Sequence, residues 1–201
     1  MTNFLMTVQT CPGRERVLGE TLASLAESDW PVPPLVVPDT LNLPNRQKSQ
    51  VGTAGKVLAL ALEQPEWDYL VYCEDDVIFN RHLHHNLSSW LPVTLGICLV
   101  GCLYQGDKWP DQGRNYGFAP AAKIGGSQAV VIRRDWVGEL SRRWDELRWC
   151  GMQDLRFFGS LGGTFPSVYV HNPNLVQHRS EPSTWGGQPH TSPNFDQDYR
   201  A

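Results

Sequence analysis

Three consecutive carboxylates follow an apolar run near the middle of the chain. The segment YLVYCEDDVIFN spans residues 69–80 and places Glu74, Asp75 and Asp76 directly behind that run. Carboxylates this close raise one another's pKa unless a cation neutralises them, and a divalent ion does so directly. Oxygen ligands suit Mg²⁺ or Mn²⁺, and such ions commonly hold substrate phosphates as well. The triplet therefore predicts a metal–phosphate site, against the simpler alternative of a strand that runs into an acidic loop.

The elements around the triplet predict an α/β sheet. Strands are predicted at residues 3–10, 35–37, 67–73, 96–104 and 127–134, with a strand-like segment at 167–178 that is broken at Pro173. Helices are predicted at residues 16–26, 56–62, 82–90, 135–149 and 154–161. Strands that alternate with helices favour a largely parallel sheet in the first half, and a long loop over 105–120 indicates a mixed second half. Ligands of such sheets bind beyond the carboxyl ends of the strands, which is where the triplet falls.

Composition excludes several classes of protein. The 201 residues are 41% hydrophobic and suit one domain with a real core. The net charge of −4 is not that of a global polycation for nucleic acid. No window approaches the roughly 18 apolar residues of a membrane span, so we expect a soluble, cytoplasmic protein without a membrane partner. The five cysteines form no C-x-x-C pair and are interpreted as reduced thiols. No G-x-x-x-x-G-K-[ST] loop is present, and GTAGK at 52–56 matches it only in part.

Several segments, taken in order, resemble the GT-A glycosyltransferases, which take sugars from nucleotide-sugar donors. They are TVQTCPGRERVLGETLASL, DWPVPPLVVPD, GTAGKVLALALEQPEWDYLVYCEDDVIF, GSQAVVIRRDWVGEL and MQDLRFFGSLGG. A sixth segment, PNLVQHRSEPSTWGG, resembles the terminal His–Ser segment of N-acetylglucosaminyltransferase IV-like enzymes. The resemblance covers most of residues 4–187 and depends on the order of the segments, because D-x-D-like triplets are common by chance. The triplet here is EDD rather than D-x-D, with acids at its first and last positions.

This resemblance implies one compact, Rossmann-like GT-A domain over residues 1–201, with a mixed, mostly parallel central sheet. Residues 1–104 would form the nucleotide-sugar and metal half, 105–187 the acceptor half, and 188–201 a polar tail. It also implies a cofactor, Mn²⁺ or Mg²⁺, with Asp76 as the direct ligand and Glu74 as a second acid at the metal.

The resemblance further implies a donor pocket. Glu74 or Asp75 would reach the ribose or a metal-bound water, and His178 would complete the metal shell or bond a phosphate, with a satisfied strand-end histidine as the alternative. The remaining donor candidates are Pro12, Arg14, Arg16 and Asp39 near the first two strands, and Ser180 and Ser183 near the C-terminus. The donor would be a nucleotide sugar, with a UDP-sugar favoured.

The acceptor side is implied by the later segments. Asp154 is the candidate general base of an inverting transferase, although a carboxylate there also suits a helix N-terminus. Gly126 and Ser127 could let the backbone approach a sugar, and Trp109 and Trp185 could stack on sugar faces. Residues 108–156 hold nine basic residues against six acidic ones. An anionic acceptor, even a hydroxylated nucleic-acid base, is therefore weighed against a solvated helix face of mixed charge.

The sequence thus predicts a metal-dependent glycosyltransferase that moves a sugar from a nucleotide-sugar to a hydroxyl acceptor. Two other functions stay open. A nucleotidyltransferase can share the sheet and the metal, but it normally opens with a Gly-rich, Lys-containing loop, which CPGRER matches poorly. A non-catalytic nucleotide- or glycan-binding domain is disfavoured by the intact triplet.

Overall fold

The computed structural model describes residues 2–106, 115–149, 151–161, 167–181 and 190–201. The strands are β1 (Phe4–Thr10), β2 (Leu35–Pro38), β3 (Tyr69–Glu74), β4 (Val77–Phe79), β5 (Val100–Cys102), β6 (Tyr116–Pro120), β7 (Ala129–Arg133), β8 (Ser167–His171) and β9 (Val176–His178). The helices are α1 (Glu15–Ala26), α2 (Arg46–Glu63), α3 (Leu83–Ser89), α4 (Leu91–Thr94), α5 (Arg134–Arg143) and α6 (Gln153–Gly159). Short 3₁₀ turns occupy Ala121–Lys123 and Glu146–Trp149.

The central sheet is mixed. Over the described ranges it has seven strands in the order β2-β1-β3-β7-β5-β8-β6. The pairings of β1 with β2 and β3, and of β5 with β8, are parallel, whereas β7 and β6 run against their neighbours. β2, β1, β3, β5 and β8 therefore share one direction. This confirms the predicted α/β class with a mixed, mostly parallel sheet in a single domain. β4 and β9 form a separate antiparallel pair beside the sheet.

Alternation along the strands divides the core into two layers. In β3, Leu70 and Tyr72 face one side of the sheet, whereas Val71 and Cys73 face the other. Helices α2, α5 and α6 supply residues to the first layer, and α1, α3 and α4 supply residues to the second. A sheet covered on both faces needs strands that are apolar throughout, which is why β3 reads as the continuous run YLVYC.

Helix α2 is much longer than the helix predicted at 56–62. It begins at Arg46, and the side-chain oxygen of Asn45 accepts a hydrogen bond from the Lys48 backbone N–H at 2.9 Å, as an N-cap does. The polar stretch RQKSQ hid the start of the helix because it carries no apolar stripe. Strand β6 was also not predicted, and it lies inside the loop predicted over 105–120.

The C-terminal segment packs back onto the domain. The buried side-chain amide of Asn80 donates to the backbone oxygens of Asp196 and Tyr199, each at 2.9 Å. The Asn174 amide donates to the Ser192 hydroxyl at 2.6 Å. The described part of the predicted polar tail is therefore fastened by buried amides, and His190 at its start returns to the pocket described below.

Two further predictions concern membrane-spanning segments and the state of the cysteines. Among them, no helix combines the length and the apolar character that crossing a membrane requires. Cys73, Cys98 and Cys102 are buried free thiols, and Cys11 is a free thiol at intermediate exposure. Cys150 lies outside the described residues.

Candidate functional site

A pocket of about 340 Å³ opens at the edge of the sheet where β1, β2 and β3 end and where the antiparallel β7 begins. Its volume is within the range of small-ligand sites. The lining residues are Gln9, Thr10, Cys11, Arg14, Asp39, Arg46, Gln50, Glu74, Asp75, Asp76, Gly126, Ser127, Gln128, Met152, Gln153, Asp154, His178, Glu181 and His190. The whole carboxylate triplet thus lies in the pocket, at the strand ends where the sequence placed it.

The two aspartates of the triplet belong to an ionic cluster. Arg14 donates from Nε to Asp75 Oδ1 and from Nη2 to Asp76 Oδ2, at 2.7 Å in each case. Thr10 donates its hydroxyl to Asp75 Oδ2. The side chains of Arg14, Asp75 and Asp76 are only 12%, 6% and 10% exposed, so these ion pairs are largely shielded from water. One guanidinium therefore pairs with both acids.

His178 completes this cluster, which we call the ionic wall (Arg14, Asp75, Asp76 and His178). It stands at the end of β9, and its Nε2 lies 3.3 Å from Asp76 Oδ2. Burial raises the pKa of Asp76, but the hydrogen bond and charge of His178 and the charge of Arg14 outweigh burial and lower it. Burial likewise lowers the pKa of His178, and the Asp76 carboxylate outweighs burial and raises it.

Glu74 has a different environment from its two neighbours. Its Oε1 accepts a hydrogen bond from the Ser127 hydroxyl at 2.8 Å, and the Gln153 side-chain amide donates to the same Ser127 oxygen at 2.9 Å and to Tyr72. The Tyr72 hydroxyl in turn donates to Gln9 Oε1 at 2.8 Å. We call this uncharged chain of contacts (Glu74, Ser127, Gln153, Tyr72 and Gln9) the neutral wall.

The protonation state of Glu74 follows from that environment. Burial, and then the neighbouring Asp76 carboxylate, raise the pKa of Glu74 to about 8, while the Ser127 hydrogen bond opposes the rise. Without a metal ion, Glu74 therefore holds its proton to a higher pH than Asp76 does. In its protonated form the carboxyl group can donate a hydrogen bond to a polar partner such as a hydroxyl.

The predicted metal site is tested by the donor atoms at Asp76. Among the described residues, no group of three or more His, Cys, Asp or Glu side chains is arranged to hold a metal ion. Asp76 Oδ1 is nevertheless buried without a hydrogen-bond partner, and His178 Nε2 stands beside the other oxygen of the same carboxylate. Mg²⁺ and Mn²⁺ commonly bind one or two protein ligands together with substrate phosphates. Asp76 therefore offers one free oxygen to such an ion, and His178 would join it as the second ligand after giving up the proton that its Nε2 shares with Asp76.

His190 is a pocket residue that the sequence gave no reason to choose. Its ring stacks on that of His178, with centroids 4.5 Å apart and planes 12° apart. Its Nδ1 lies 2.6 Å from the Tyr104 hydroxyl, and its backbone oxygen lies 3.0 Å from His178 Nδ1. These contacts fix the orientation of His178 and leave its Nε2 directed at Asp76.

Asp154 lines the pocket in the first turn of α6. Its Oδ2 accepts a hydrogen bond from the Gly126 N–H at 3.1 Å, and its Oδ1 accepts one from the Leu155 N–H at 2.8 Å. Gly126 has a φ of +80°, and a Cβ there would overlap the Gln128 side chain. The geometry thus combines the two roles that the sequence left open, because the carboxylate faces the pocket and also bonds backbone N–H groups at a helix start.

Asp39 lines the pocket beyond β2 and is buried. Its Oδ1 accepts hydrogen bonds from the backbone N–H groups of Leu41 and Asn42, at 2.9 and 3.3 Å. Burial raises the pKa of Asp39, but the Ser49 hydroxyl and these N–H groups outweigh it and lower the pKa. Asp39 is therefore a fixed anion at the far end of the pocket.

Three further donor candidates are not among the pocket-lining residues. Pro12 is exposed in the turn after β1. Arg16 is exposed and pairs with Glu20 and with Glu181, at 2.6 and 3.2 Å. Ser180 donates its hydroxyl to the His190 backbone oxygen at 3.2 Å and has a φ of +57°. The structure thus does not bring these three side chains together with the triplet.

The remaining predicted positions are divided between the pocket and the undescribed segments. Gly126 and Ser127, predicted at the acceptor, both line the pocket, and Ser127 bonds Glu74. Trp109, Ser183 and Trp185 lie outside the described residues.

Several pocket residues were not predicted, either because they are uncharged or because no motif in the neighbouring sequence marks them. They are Gln9, Thr10, Cys11, Arg46, Gln50, Gln128, Met152, Gln153, Glu181 and His190. A signal did exist for Gln9 and Thr10, since they end an apolar strand that pairs with β3 in the register Gln9 opposite Glu74. A polar pair at a strand end adjacent to the triplet is a candidate site on position alone.

The basic residues of the acceptor half are partly engaged with acids of the same region. Arg133 pairs with Asp135 at 2.7 Å, and Arg142 pairs with Glu139 at 2.9 Å. Arg143 lies 3.5 Å from the same Glu139. The described helix α5 therefore presents mixed charge, which favours the solvated face over a surface for an anionic acceptor.

No protein-family model matches the chain, and no curated protein matches it. Solved structures do match. A197 from STIV is 13% identical with a TM-score of 0.57, over 98% of this chain and 97% of A197. S. aureus TarS is 17% identical with a TM-score of 0.50, over 85% of this chain and 36% of TarS, so this chain spans little more than a third of that protein.

Two weaker matches carry informative descriptions. A TarS fragment, 1–349, in complex with UDP-GlcNAc is 14% identical with a TM-score of 0.49, over 99% of this chain and 60% of the fragment. A glycosyltransferase involved in the glycosylation of the major capsid of PBCV-1 is 13% identical with a TM-score of 0.45, over 84% and 82% of the two chains. At these identities the matches show the fold alone, which this chain shares with A197 and with the matching part of TarS.

Proposed function

We propose that this protein is a metal-dependent glycosyltransferase that moves a sugar from a nucleotide sugar, a UDP-sugar, to a hydroxyl acceptor with inversion. One observation carries the proposal. A pocket at the carboxyl ends of the parallel strands holds Arg14 and Asp76, whose second carboxylate oxygen is buried and unpartnered, while Asp154 lines the same pocket from another element. An arginine and a carboxylate that can hold a metal-bound diphosphate, together with a second carboxylate for the acceptor, are the groups that sugar transfer from such a donor requires.

The donor end is supported by Arg14 and Asp39. A guanidinium can bind a diphosphate through two parallel hydrogen bonds, and Arg14 presents Nε and Nη2 in that geometry to Asp75 and Asp76. Asp39 is a buried, ionised acceptor suited to the N–H or hydroxyl groups of a nucleoside. TarS, part of which shares this fold, forms a complex with UDP-GlcNAc, which supports a UDP-sugar as the donor.

Asp76 and His178 would hold the cofactor, Mn²⁺ or Mg²⁺. When bound, such an ion supplies Lewis-acid stabilisation of the negative charge on a leaving diphosphate. The chain's own residues act around it: Arg14 adds a second positive charge, and His190 fixes the His178 ring. Glu74, neutral near pH 7, would donate a hydrogen bond to a donor hydroxyl such as that of the ribose.

Asp154 would accept the proton of the acceptor hydroxyl as the sugar is attacked in line. Its two oxygens are oriented by the N–H groups of Gly126 and Leu155, so the carboxylate is held in place before an acceptor arrives. A glycan and a hydroxylated nucleic-acid base both offer such a hydroxyl, and the mixed charge of α5 favours the glycan.

A screen of nucleotide sugars tests the proposal. Thermal stabilisation of the protein and release of UDP from each nucleotide sugar would be measured with Mn²⁺ and with EDTA, for the natural chain and for Asp76→Asn. We expect one UDP-sugar to stabilise the protein and to be hydrolysed slowly, in a manner that requires both Mn²⁺ and Asp76.

Other outcomes of the screen would replace this proposal. Stabilisation by a nucleotide sugar without turnover, even with a panel of hydroxyl acceptors, would favour the non-catalytic binding domain. Release of pyrophosphate from nucleoside triphosphates would favour the nucleotidyltransferase. Stabilisation that persists unchanged in Asp76→Asn with EDTA would remove the metal from the proposal and retain the nucleotide site.

A further inference from the structure

The bridge from Arg14 to the two aspartates has a consequence for cation binding. Its guanidinium uses Nε for Asp75 Oδ1 and Nη2 for Asp76 Oδ2, so one rigid, planar group holds both carboxylates. All three side chains are close to nine-tenths buried. A buried pair of this kind is costly to break unless another charge replaces the lost partner.

The same carboxylate is the best-supported ligand for a divalent ion. Asp76 Oδ2 already lies within 2.7 Å of Arg14 Nη2 and 3.3 Å of His178 Nε2, and Asp76 Oδ1 is the atom without a partner. A divalent ion at Asp76 would therefore be placed next to a guanidinium in a site of low exposure. Two like charges so close repel each other, and shielding from water strengthens that repulsion.

The net charge of the cluster determines whether a divalent ion and the Arg14 guanidinium can be present together. Asp75 and Asp76 carry two negative charges, and Arg14 returns one positive charge. With His178 neutral, as a metal-binding imidazole is, a divalent ion leaves the cluster with one excess positive charge, whereas the ion without Arg14 would balance the two acids. A diphosphate brings additional negative oxygens, and a guanidinium pairs with phosphate oxygens as readily as with carboxylates. Metal and Arg14 therefore compete in the free protein and are compatible once a diphosphate is present.

We propose that Arg14 is a resident counter-ion that keeps the Asp75–Asp76 pair closed to divalent metal until a diphosphate-bearing donor takes its guanidinium. The inference rests on the proposed donor and metal site, and it adds how the binding of one ligand at that site depends on the other. Metal and nucleoside diphosphate should bind cooperatively, and Arg14 should be the residue that couples them, because linkage makes the effect of each ligand on the other reciprocal.

Mn²⁺ binding to the nucleotide-free protein tests the inference directly. Free Mn²⁺ would be measured by electron paramagnetic resonance in titrations of the natural chain, Arg14→Gln, and Arg142→Gln. Arg142 is an exposed arginine that pairs with Glu139 and does not line the pocket. Arg142→Gln is therefore the matched control, because it removes the same charge outside the pocket. We expect Arg14→Gln to bind Mn²⁺ about tenfold more tightly than the natural chain, within the usual range of coupling between sites, and Arg142→Gln to bind it unchanged.

UDP binding supplies the second readout. Calorimetry with and without Mn²⁺ would give the factor by which metal strengthens UDP binding. That factor should be large in the natural chain, because UDP relieves the competition between Mn²⁺ and Arg14. It should be several-fold smaller in Arg14→Gln, because the variant has no guanidinium to compete with the ion. Adding Asp76→Asn to Arg14→Gln should remove the gain in Mn²⁺ affinity, which assigns the gain to the Asp76 carboxylate.

Each result decides between the two proposals. If Arg14→Gln leaves Mn²⁺ affinity unchanged or weaker, while UDP still binds with Mn²⁺ and Asp76, then the exchange is wrong and the proposed function stands. If neither protein binds Mn²⁺, with or without UDP, then both the exchange and the metal site are wrong. Should Arg14→Gln fail to fold by circular dichroism, Arg14→Met takes its place, since it keeps an apolar stem and removes the same positive charge. A smaller gain in Mn²⁺ affinity supports the inference, and no gain overturns it.

Discussion

The ionic wall and the neutral wall of the pocket begin from adjacent residues of one strand end, yet they treat the same chemical group in opposite ways. Asp76 is ionised, paired with Arg14 and His178, and has one oxygen without a partner. Glu74, two residues earlier, bonds Ser127 within an uncharged chain of contacts, and its pKa is raised to about 8. Adjacent acids in a sequence are therefore not equivalent acids in a site.

The pleat of β3 explains the division. Glu74 is the last residue of β3 and follows Leu70 and Tyr72 in the alternation, so its side chain turns toward the layer that contains α6. Asp75 and Asp76 lie beyond the strand, where the backbone turns toward β4 and reaches Arg14. The two walls thus differ because the Glu74 side chain follows the alternation of β3, whereas Asp75 and Asp76 lie beyond the end of the strand.

The largest effect is expected from the carboxylate beside the neutral wall. Asp154→Asn should lower the rate of sugar transfer by about 10²- to 10⁴-fold, the usual contribution of general-base catalysis. The amide keeps an oxygen that can accept the Leu155 N–H, and UDP affinity should change by less than about twofold because the ionic wall is untouched. Transfer would be measured with the donor found in the screen, and UDP affinity by calorimetry.

The alternative role of Asp154 gives a different result. A carboxylate that serves only the start of α6 would, when replaced by Asn, cost about 0.3–1 kcal/mol of stability and leave the transfer rate nearly intact. Retained turnover in Asp154→Asn would therefore reassign this residue to the fold and would open the question of a retaining mechanism.

The next effect separates the two walls within the triplet. Asp76→Asn should weaken Mn²⁺-dependent UDP binding by at least about 10- to 100-fold, because changes to the partners that orient a metal ligand already have effects of that size. Glu74→Gln at pH 6.5 should weaken it by less than about threefold, because an amide replaces a carboxyl group that is already neutral. Calorimetry on both variants makes the comparison, and equal losses would show that Glu74 also holds the metal.

A third prediction concerns the internal contacts of the neutral wall. Tyr72→Phe removes the hydroxyl that donates to Gln9 and accepts from Gln153, so two buried amides lose a partner. The free energy of unfolding should fall by about 1–3 kcal/mol. Tyr69→Phe on the same strand is the matched control, because the Tyr69 hydroxyl is buried without a partner among the described residues. Urea unfolding should leave Tyr69→Phe at or above the natural stability, and equal losses in the two variants would contradict a stabilising network.

The sequence was sufficient for the strand that leads into the triplet and for the acids themselves, but it did not predict β4 directly after them. The apolar run of β3 and the turn residues after β1 predicted their strands, and the carboxyl-end rule placed Glu74, Asp75 and Asp76 in the pocket. Arg14 was predicted as a donor-binding residue, but its ion pairs with the two aspartates join residues more than 60 positions apart and depend on the parallel pairing of β1 with β3. No local pattern reports such a contact.

Two members of the neutral wall, Gln9 and Gln153, were not predicted for a related reason. Gln9 and Gln153 carry no charge, and glutamines within strands and helices are ordinary surface residues until the fold buries them. His190 was overlooked because the chain leaves the sheet before it and is brought back by buried amides such as Asn80 and Asn174. Charged and apolar patterns can be read from a sequence, whereas a polar network exists only after the elements have packed.

The last prediction tests the protonation of Glu74 without any ligand. In the folded protein its pKa is about 8, against an ordinary value of 4.5, so between these values the folded state retains a proton that the unfolded chain has lost. Stability that depends on this proton therefore decreases as pH rises from about 4.5 to about 8. Glu74→Gln stays neutral and avoids that loss, so the melting temperature of the variant minus that of the natural chain should increase steadily from pH 5 to pH 8. His178 and Asp76 titrate in both proteins and cancel to first order in the difference. Parallel melting curves across this range would mean that Glu74 is ionised in the fold, and the contrast between the two walls would then lie in their hydrogen bonds and not in their charge.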